Sequence, residues 1–192
     1  MKRSLINVIK ILLLLAGFVY ALWVFLPYRE VGNFVMSLAH SQLNSRGMRV
    51  NWSDVSGESD GFTVSNLTLN GVVNLSFSSI TIRPRILASI LSLGAVADIN
   101  FKAANMRLGQ NFNFGDGRFL LTAGRREILL EQLRTNGDFA INGYLTIDPA
   151  RAGIGRADAQ LNFPKEFADN LNLVKNFLPL VQEGERWYLR RQ

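Results

Sequence analysis

Apolar residues fall along this chain in three regimes: one unbroken run, one stripe of helical period, and a long series of period two. The run comes first. Ile11 to Leu26 carries no charge, and Leu5 to Val8 extends it backwards with only Asn7 and Lys10 interrupting. Roughly 20 residues at 1.5 Å rise cross a bilayer core of about 30 Å. The stretch from Leu5 to Leu26 has that length, with Lys10 close enough to its end to snorkel. Tyr20, Trp23 and Tyr28 lie toward the far end, where an aromatic belt sits, and Pro27 closes the helix. The pattern predicts a single transmembrane anchor over residues 1–27 and one domain over residues 28–192. A cleaved signal peptide shares the basic start and apolar centre, and Val19 and Ala21 imitate its cleavage pattern. Leu22 to Leu26, however, continues the apolar run with no polar region before a cut.

The second regime spans Tyr28 to Arg46. Val31, Phe34, Val35, Leu38 and Leu43 form an approximate 3.6-residue stripe, and Gly47 stands where a C-terminal cap glycine belongs. This predicts an amphipathic helix that docks on the domain by that stripe.

From Met48 the period is two. Met48, Val50 and Trp52 alternate with polar neighbours, and Gly57 to Gly61 makes a polar turn. Phe62 and Val64 alternate, then the apolar set changes parity to Leu67 and Leu69, which predicts a bulge or bend near Ser65 and Asn66. Asn70-Gly71 tolerates positive φ and sits between alternating hydrophobics, the local signature of a two-residue hairpin turn. Ile80 and Ile82 resume the alternation until Arg83-Pro84-Arg85. Ile86, Leu87, Ile90 and Leu91 then carry helical spacing up to Gly94 and predict a short helix closing one end or one face of the sheet. Strand signals return in series. They are Ala97, Ile99 and Phe101; Met106 and Leu108; Phe112 and Phe114; Phe119 and Leu121; Ile128 and Leu130; Phe139 and Ile141; Leu145 and Ile147; and Ala157 to Phe163. Gly115-Asp116-Gly117, Gly124 and Asn136-Gly137 read as the turns between them. Pro164 opens a further amphipathic helix over Glu166 to Leu178, and the tail from Leu180 reads as a hairpin turning at Gly184.

Short strands at intervals of roughly 8 to 12 residues predict an antiparallel sheet, not βαβ units. The expected fold is therefore mostly β: a single N-terminal transmembrane helix, then a curved antiparallel sheet with a few short amphipathic helices. The alternation makes one face apolar. Phe101, Phe112, Phe114 and Phe119 are its candidate functional residues. If the helices cover that face they are ordinary core, and if the helices cap only the ends they line an apolar groove.

Composition adds a compartment. The chain has no cysteine, which fits a bacterial periplasm and argues against a small disulfide-stapled scaffold. Lys2, Arg3 and Lys10 precede the span while Arg29 and Glu30 balance beyond it, so the positive-inside bias keeps the N-terminus cytoplasmic and exports the rest. The net charge of +6 divides evenly, +3 before Val31 and +3 after, and the arginines of the exported part are scattered. No nucleic-acid face is expected. The sequons at Asn51, Asn66 and Asn74 carry little weight in an Asn-rich β sequence.

Catalytic chemistry finds few parts. His40, the only histidine, has no carboxylate partner in its helix, and zinc sites draw on His and Cys. Glu127 and Glu131 face each other only on a helix, and their surroundings alternate as a strand. Gly153-Ile154-Gly155 lacks the Lys-Ser/Thr end of a phosphate loop and reads as a flexible turn. Asp54, Glu58 and Asp60 lack calcium-loop spacing. Neither an enzyme nor a cofactor is expected.

One resemblance covers the first half. The span ends in FLPYR (Phe25 to Arg29), an amphipathic helix follows, and then come GFTVSNLTLNG (Gly61 to Gly71) and LSFSSITIRPRILASILSLG (Leu75 to Gly94). This resembles the N-type protein family of the bacterial type II secretion system. It is distantly similar to AsmA-like envelope proteins in the strand-to-helix passage through Arg-Pro. The first resemblance implies a non-enzymatic, single-pass inner-membrane component with a periplasmic domain, whose partners are membrane lipid and other secretion components. The second implies a lipid-binding or lipid-transfer module whose apolar sheet face holds phospholipid. An envelope hydrolase is the third and weakest expectation.

Overall fold

The computed structural model describes residues 9–11, 13–14, 17–18, 20–21, 25–45, 47–71, 74–108, 110–124, 126–148, 153–164, 180–183 and 186–191. Eleven strands among them make one antiparallel sheet: β1 Arg49–Asn51, β2 Asp54–Gly57, β3 Phe62–Asn70, β4 Asn74–Pro84, β5 Ala95–Leu108, β6 Gln110–Ala123, β7 Ile128–Thr135, β8 Ala140–Asp148, β9 Gly153–Asn162, β10 Leu180–Glu183 and β11 Arg186–Arg191. Their order is β1-β3-β4-β5-β6-β7-β8-β9-β11-β10, and β2 also pairs with β3. From β3 to β9 this is a meander, the topology that short connections between antiparallel neighbours allow. Helix α1, Tyr28–Asn44, packs on β1, β2 and β3, and helix α2, Ile86–Ser92, packs on β5. The mostly β fold and the final hairpin follow the alternation. The helix expected over Glu166 to Leu178 lies outside the described residues.

Residues 9–11, 13–14, 17–18 and 20–21 are helical, and Ile9, Ile11, Leu13, Leu14, Phe18 and Tyr20 are exposed. Among the described residues no helix is long and apolar enough to cross a membrane. The remainder of the expected span lies outside them.

β5 and β6 each run for 14 residues, where the sequence suggested pairs of short strands. A left-handed residue inside each explains this, Ala103 (φ 49°) in β5 and Gly115 (φ 65°) in β6; Asn66 (φ 50°) in β3 and Gln132 (φ 52°) in β7 are of the same kind. Side chains of a strand point alternately to its two faces, and one left-handed residue reverses the phase. Phe62 and Val64 thus share a face with Leu67 and Leu69 across Asn66, as Ile99 and Phe101 do with Ala104 and Met106 across Ala103. Each non-glycine case costs about 1–2 kcal/mol, and side-chain acceptors offset part of it. Asp116 Oδ1 accepts the Ala103 N–H at 2.9 Å, Asn136 Oδ1 accepts the Asp116 N–H at 2.7 Å, and Asn113 Oδ1 accepts the Gly115 N–H at 2.9 Å. Gly115-Asp116-Gly117 is therefore a kink inside β6, not a turn. Likewise Gly153-Ile154-Gly155 opens β9. The parity change expected near Asn66 is present, but no residue is inserted: Ser65 pairs with Ser79 and Leu67 with Phe77 in one register.

The Asn70-Gly71 turn also needs correction. β3 and β4 do form a hairpin, with residues 71–73 between them. A two-residue turn at 70–71 would set Asn74 opposite Leu67, on the apolar side. The observed register sets Phe77 opposite Leu67 and Leu75 opposite Leu69, and burial outweighs the dipeptide's preference. Gly71 lies outside the left-handed region, and a Cβ there would meet only Met48, at 3.2 Å or more. Gly71→Ala should accordingly move the unfolding free energy by no more than about 0.5 kcal/mol, read from the thermal midpoint.

α1 docks by another stripe than the one expected. Tyr28, Gly32 and Met36 are buried, Val31 and Leu43 pack partly, and Phe34, Val35 and Leu38 are exposed. With no side chain at Gly32, bare helix backbone lies on Val55 and Phe62. These residues with Val50, Val64 and Leu67 form one core cluster, while Ala157, Ala159, Leu161, Trp187 and Leu189 form another at the opposite end of the strand order.

Candidate functional site: an apolar sheet face and two outward ridges

The cross-strand register puts all four phenylalanines singled out in the sequence on one side of the sheet. Ile80 pairs with Phe101, Ile99 with Phe119, and Met106 with Phe112. The rings form two rows. In the first, Phe77, Phe101 and Phe119 cross β4, β5 and β6, with centroids 5.8 Å and 6.3 Å apart. Phe101 is buried and Phe119 half-buried. In the second, Phe112 and Phe114 flank Phe139 at 5.7 Å and 5.3 Å, Phe139 stacks on Phe163 at 5.4 Å, and Phe163 approaches Trp187 at 6.0 Å. The Phe139 amide donates to the Asn113 carbonyl oxygen, which carries the β7–β8 turn over the start of β6. Edge-on and offset contacts of this kind add about 0.5–1.5 kcal/mol per pair beyond area burial. Phe77, Phe139, Phe163 and Trp187 were missed as members of these rows. Their positions along separate strands look unrelated until pairing aligns them.

Two helix surfaces point outward. On α1, Phe34, Val35 and Leu38 make an exposed ridge opposite the Tyr28–Gly32–Met36 seam. On α2 no residue is buried, and Leu87, Ile90, Leu91 and Leu93 are exposed. The short helix therefore stands at an end of the sheet and covers no face.

Below α2 sits a collar of ion pairs. Arg83 bridges Glu58 and Asp60 at 3.1 Å each, tying the β2–β3 turn to the end of β4, and Arg85 Nε donates to Asp98 at 2.6 Å. The Thr63 hydroxyl holds the Glu58 carboxyl below its ordinary value of 4.5; partial burial opposes this, and Arg83 reinforces it. A depressed carboxylate stabilises the fold above its unfolded pKa and loses that contribution as pH falls through the folded one. Acidification from pH 6 to below 4.5 should thus lower the thermal midpoint of the natural chain more than that of Glu58→Gln, the difference being this group's share.

The remaining sequence candidates do not converge. His40 Nδ1 lies 3.2 Å from the Val50 carbonyl oxygen, and its ring meets Trp52 edge-on at 6.0 Å. Glu131 is in β7 as the alternation suggests, whereas Glu127 pairs with Arg156 at 3.2 Å. Glu58 and Asp60 both serve Arg83, and Asp54 lies in β2. No curated protein and no solved structure matches the chain. A family model does: type II secretion system protein GspN-like, Synergistales, over residues 6–191.

Proposed function

Because the chain belongs to the type II secretion system GspN-like family, we propose that it is a non-enzymatic structural component of that secretion apparatus. The observation that carries this reading is the length of the match, which takes in the apolar N-terminal segment, α1, α2 and the eleven described strands. Residues 1–27 anchor the protein in the bacterial inner membrane. Lys2, Arg3 and Lys10 stay on the cytoplasmic side, and residues 28–192 stand in the periplasm as one β-rich domain. The α1 ridge of Phe34, Val35 and Leu38 receives another secretion component by helix packing, since the opposite side of α1 is spent on the sheet.

Site-specific photo-crosslinking in cells tests this, with benzoylphenylalanine at Leu38 and, separately, at Phe114. The expected result is a Leu38 adduct that mass spectrometry identifies as another protein of the type II apparatus. Phospholipid adducts at Phe114, with no secretion protein at Leu38, would overturn the reading in favour of a lipid carrier working through its apolar sheet face.

A further inference from the structure

α2 is built inside out. In a helix of a globular domain the apolar stripe faces the core. Here Leu87, Ile90 and Leu91, at spacing i, i+3, i+4, are 64%, 58% and 86% exposed, and Leu93 is 86% exposed. What fixes the helix is polar. Ser89 Oγ accepts the Val96 N–H at 2.9 Å and donates to the Arg85 carbonyl oxygen at 2.9 Å. The Arg85 amide donates to the Val96 carbonyl oxygen at 2.8 Å, and Gly94 N–H returns to the Ser89 carbonyl oxygen at 3.2 Å. The helix ends on Leu93 in left-handed backbone, φ 51°, a position that glycine or asparagine normally takes.

The location of α2 says what it is presented to. α1 runs along the first strands from Arg29, where a Cβ at Gly57 would stand 2.9 Å from the Arg29 amide nitrogen, to His40 beside Val50. Gly57 leads through the β2–β3 turn to Gly61, whose Cβ would stand 3.1 Å from Arg83 Cα, and Arg83 precedes α2 by three residues. The apolar N-terminal segment therefore meets the sheet at the same end as α2. With neighbouring strands about 4.8 Å apart, α2, set between β4 and β5, is roughly 10 Å from the strand that receives α1. The Arg83 and Arg85 ion pairs form a polar collar beneath its apolar tip.

We propose that α2 is a second, interfacial membrane contact: its four apolar side chains dip into the leaflet from which the N-terminal segment emerges, and the collar sits at headgroup level. This rests on the anchor reading above. A lipid surface suits it better than a protein, because a seven-residue helix is about 10 Å long. A stable protein interface takes about 800 Å² per partner. Exposed apolar residues over a polar collar match the division of a bilayer interface. Two contacts at one end would hold the sheet at a set orientation, where a single flexible tether would let it swing.

The chain has no cysteine, so single cysteines report cleanly. Full-length protein carrying Leu91→Cys, Phe18→Cys or Asn74→Cys is labelled with an environment-sensitive fluorophore. It is then reconstituted in vesicles of phosphatidylethanolamine and phosphatidylglycerol. Expected are strong quenching of the Leu91 label by lipid bearing a nitroxide near the headgroup, and quenching of the Phe18 label by lipid bearing it near the chain ends. The Asn74 label, at the opposite end of the sheet, should answer only to aqueous iodide. A Leu91 label open to iodide while Phe18 is quenched by lipid would overturn the contact and leave the anchor standing. A Leu91 label shielded from both quenchers would also overturn it, since a protein would then cover the helix. A Phe18 label open to iodide would instead remove the anchor on which the proposal rests.

Discussion

Gly117→Val should destabilise the protein by about 3 kcal/mol, near the upper end of what overpacking a core costs. For a chain of this size that lowers the thermal midpoint by about 6–12 °C. Propensity argues the other way, since valine is favoured in a strand interior where glycine is weak. The local geometry decides. A Cβ at Gly117 would stand 2.3 Å from Phe101 Cζ and 2.6 Å from the Arg134 carbonyl oxygen. Phe101 is 8% exposed and held between Phe77 and Phe119, so its ring cannot swing away without opening the first aromatic row. The carbonyl belongs to β7 and moves only with the sheet. Phe101→Leu added to Gly117→Val should restore part of the loss, relieving the ring but not the carbonyl. A raised midpoint for Gly117→Val alone would mean that no ring lies over this glycine.

Gly32→Leu is expected to have an effect of similar size, with a different signature. An exposed helical glycine gains about 0.8–1 kcal/mol on replacement by alanine. At Gly32 a Cβ would stand 2.6 Å from Val55 Cγ1 and 2.7 Å from Phe62 Cδ2, both among the most buried side chains of the protein. Gly32→Ala should therefore destabilise despite its helix propensity, and Gly32→Leu should cost about 3 kcal/mol by lifting α1 from β2 and β3. Hydrogen exchange separates this from global unfolding. Protection should fall first over Tyr28–Asn44 and β1, while β6 to β9 keep theirs. Equal loss across the sheet would mean that α1 is integral to the fold and does not dock on a sheet that stands without it.

How far the sequence was legible depended on whether the signal was local. Period-two alternation identified most of the strands, because side-chain direction in a strand depends on position parity alone. Gly124, Asn136-Gly137 and the tail hairpin were legible for the same reason, each being a break in that alternation. Gly115-Asp116-Gly117 was misread because left-handed backbone serves a turn and an in-strand kink equally well. Only the pairing of Gly117 with both Phe101 and Thr135 distinguishes them. The four candidate phenylalanines fall in two rows of rings, a division that needed the register of β4 to β11.

The apolar pattern by itself determined a β-rich chain with one apolar sheet face, an apolar N-terminal segment and a helix from Tyr28, read to Arg46 and ending in the structure at Asn44, since burial and periodicity are written residue by residue. Tertiary structure alone decided which way the helices turn. Phe34 and Leu38 look like the core side of α1, yet the helix packs through Gly32, because close approach depends on a missing side chain that hydrophobicity does not register. Leu87, Ile90 and Leu91 likewise look like a packing stripe, yet Ser89 takes the inward position because the Val96 amide at the start of β5 needs an acceptor. Hydrophobicity marks which residues leave water; where backbone donors and close contacts fall decides what they leave it for.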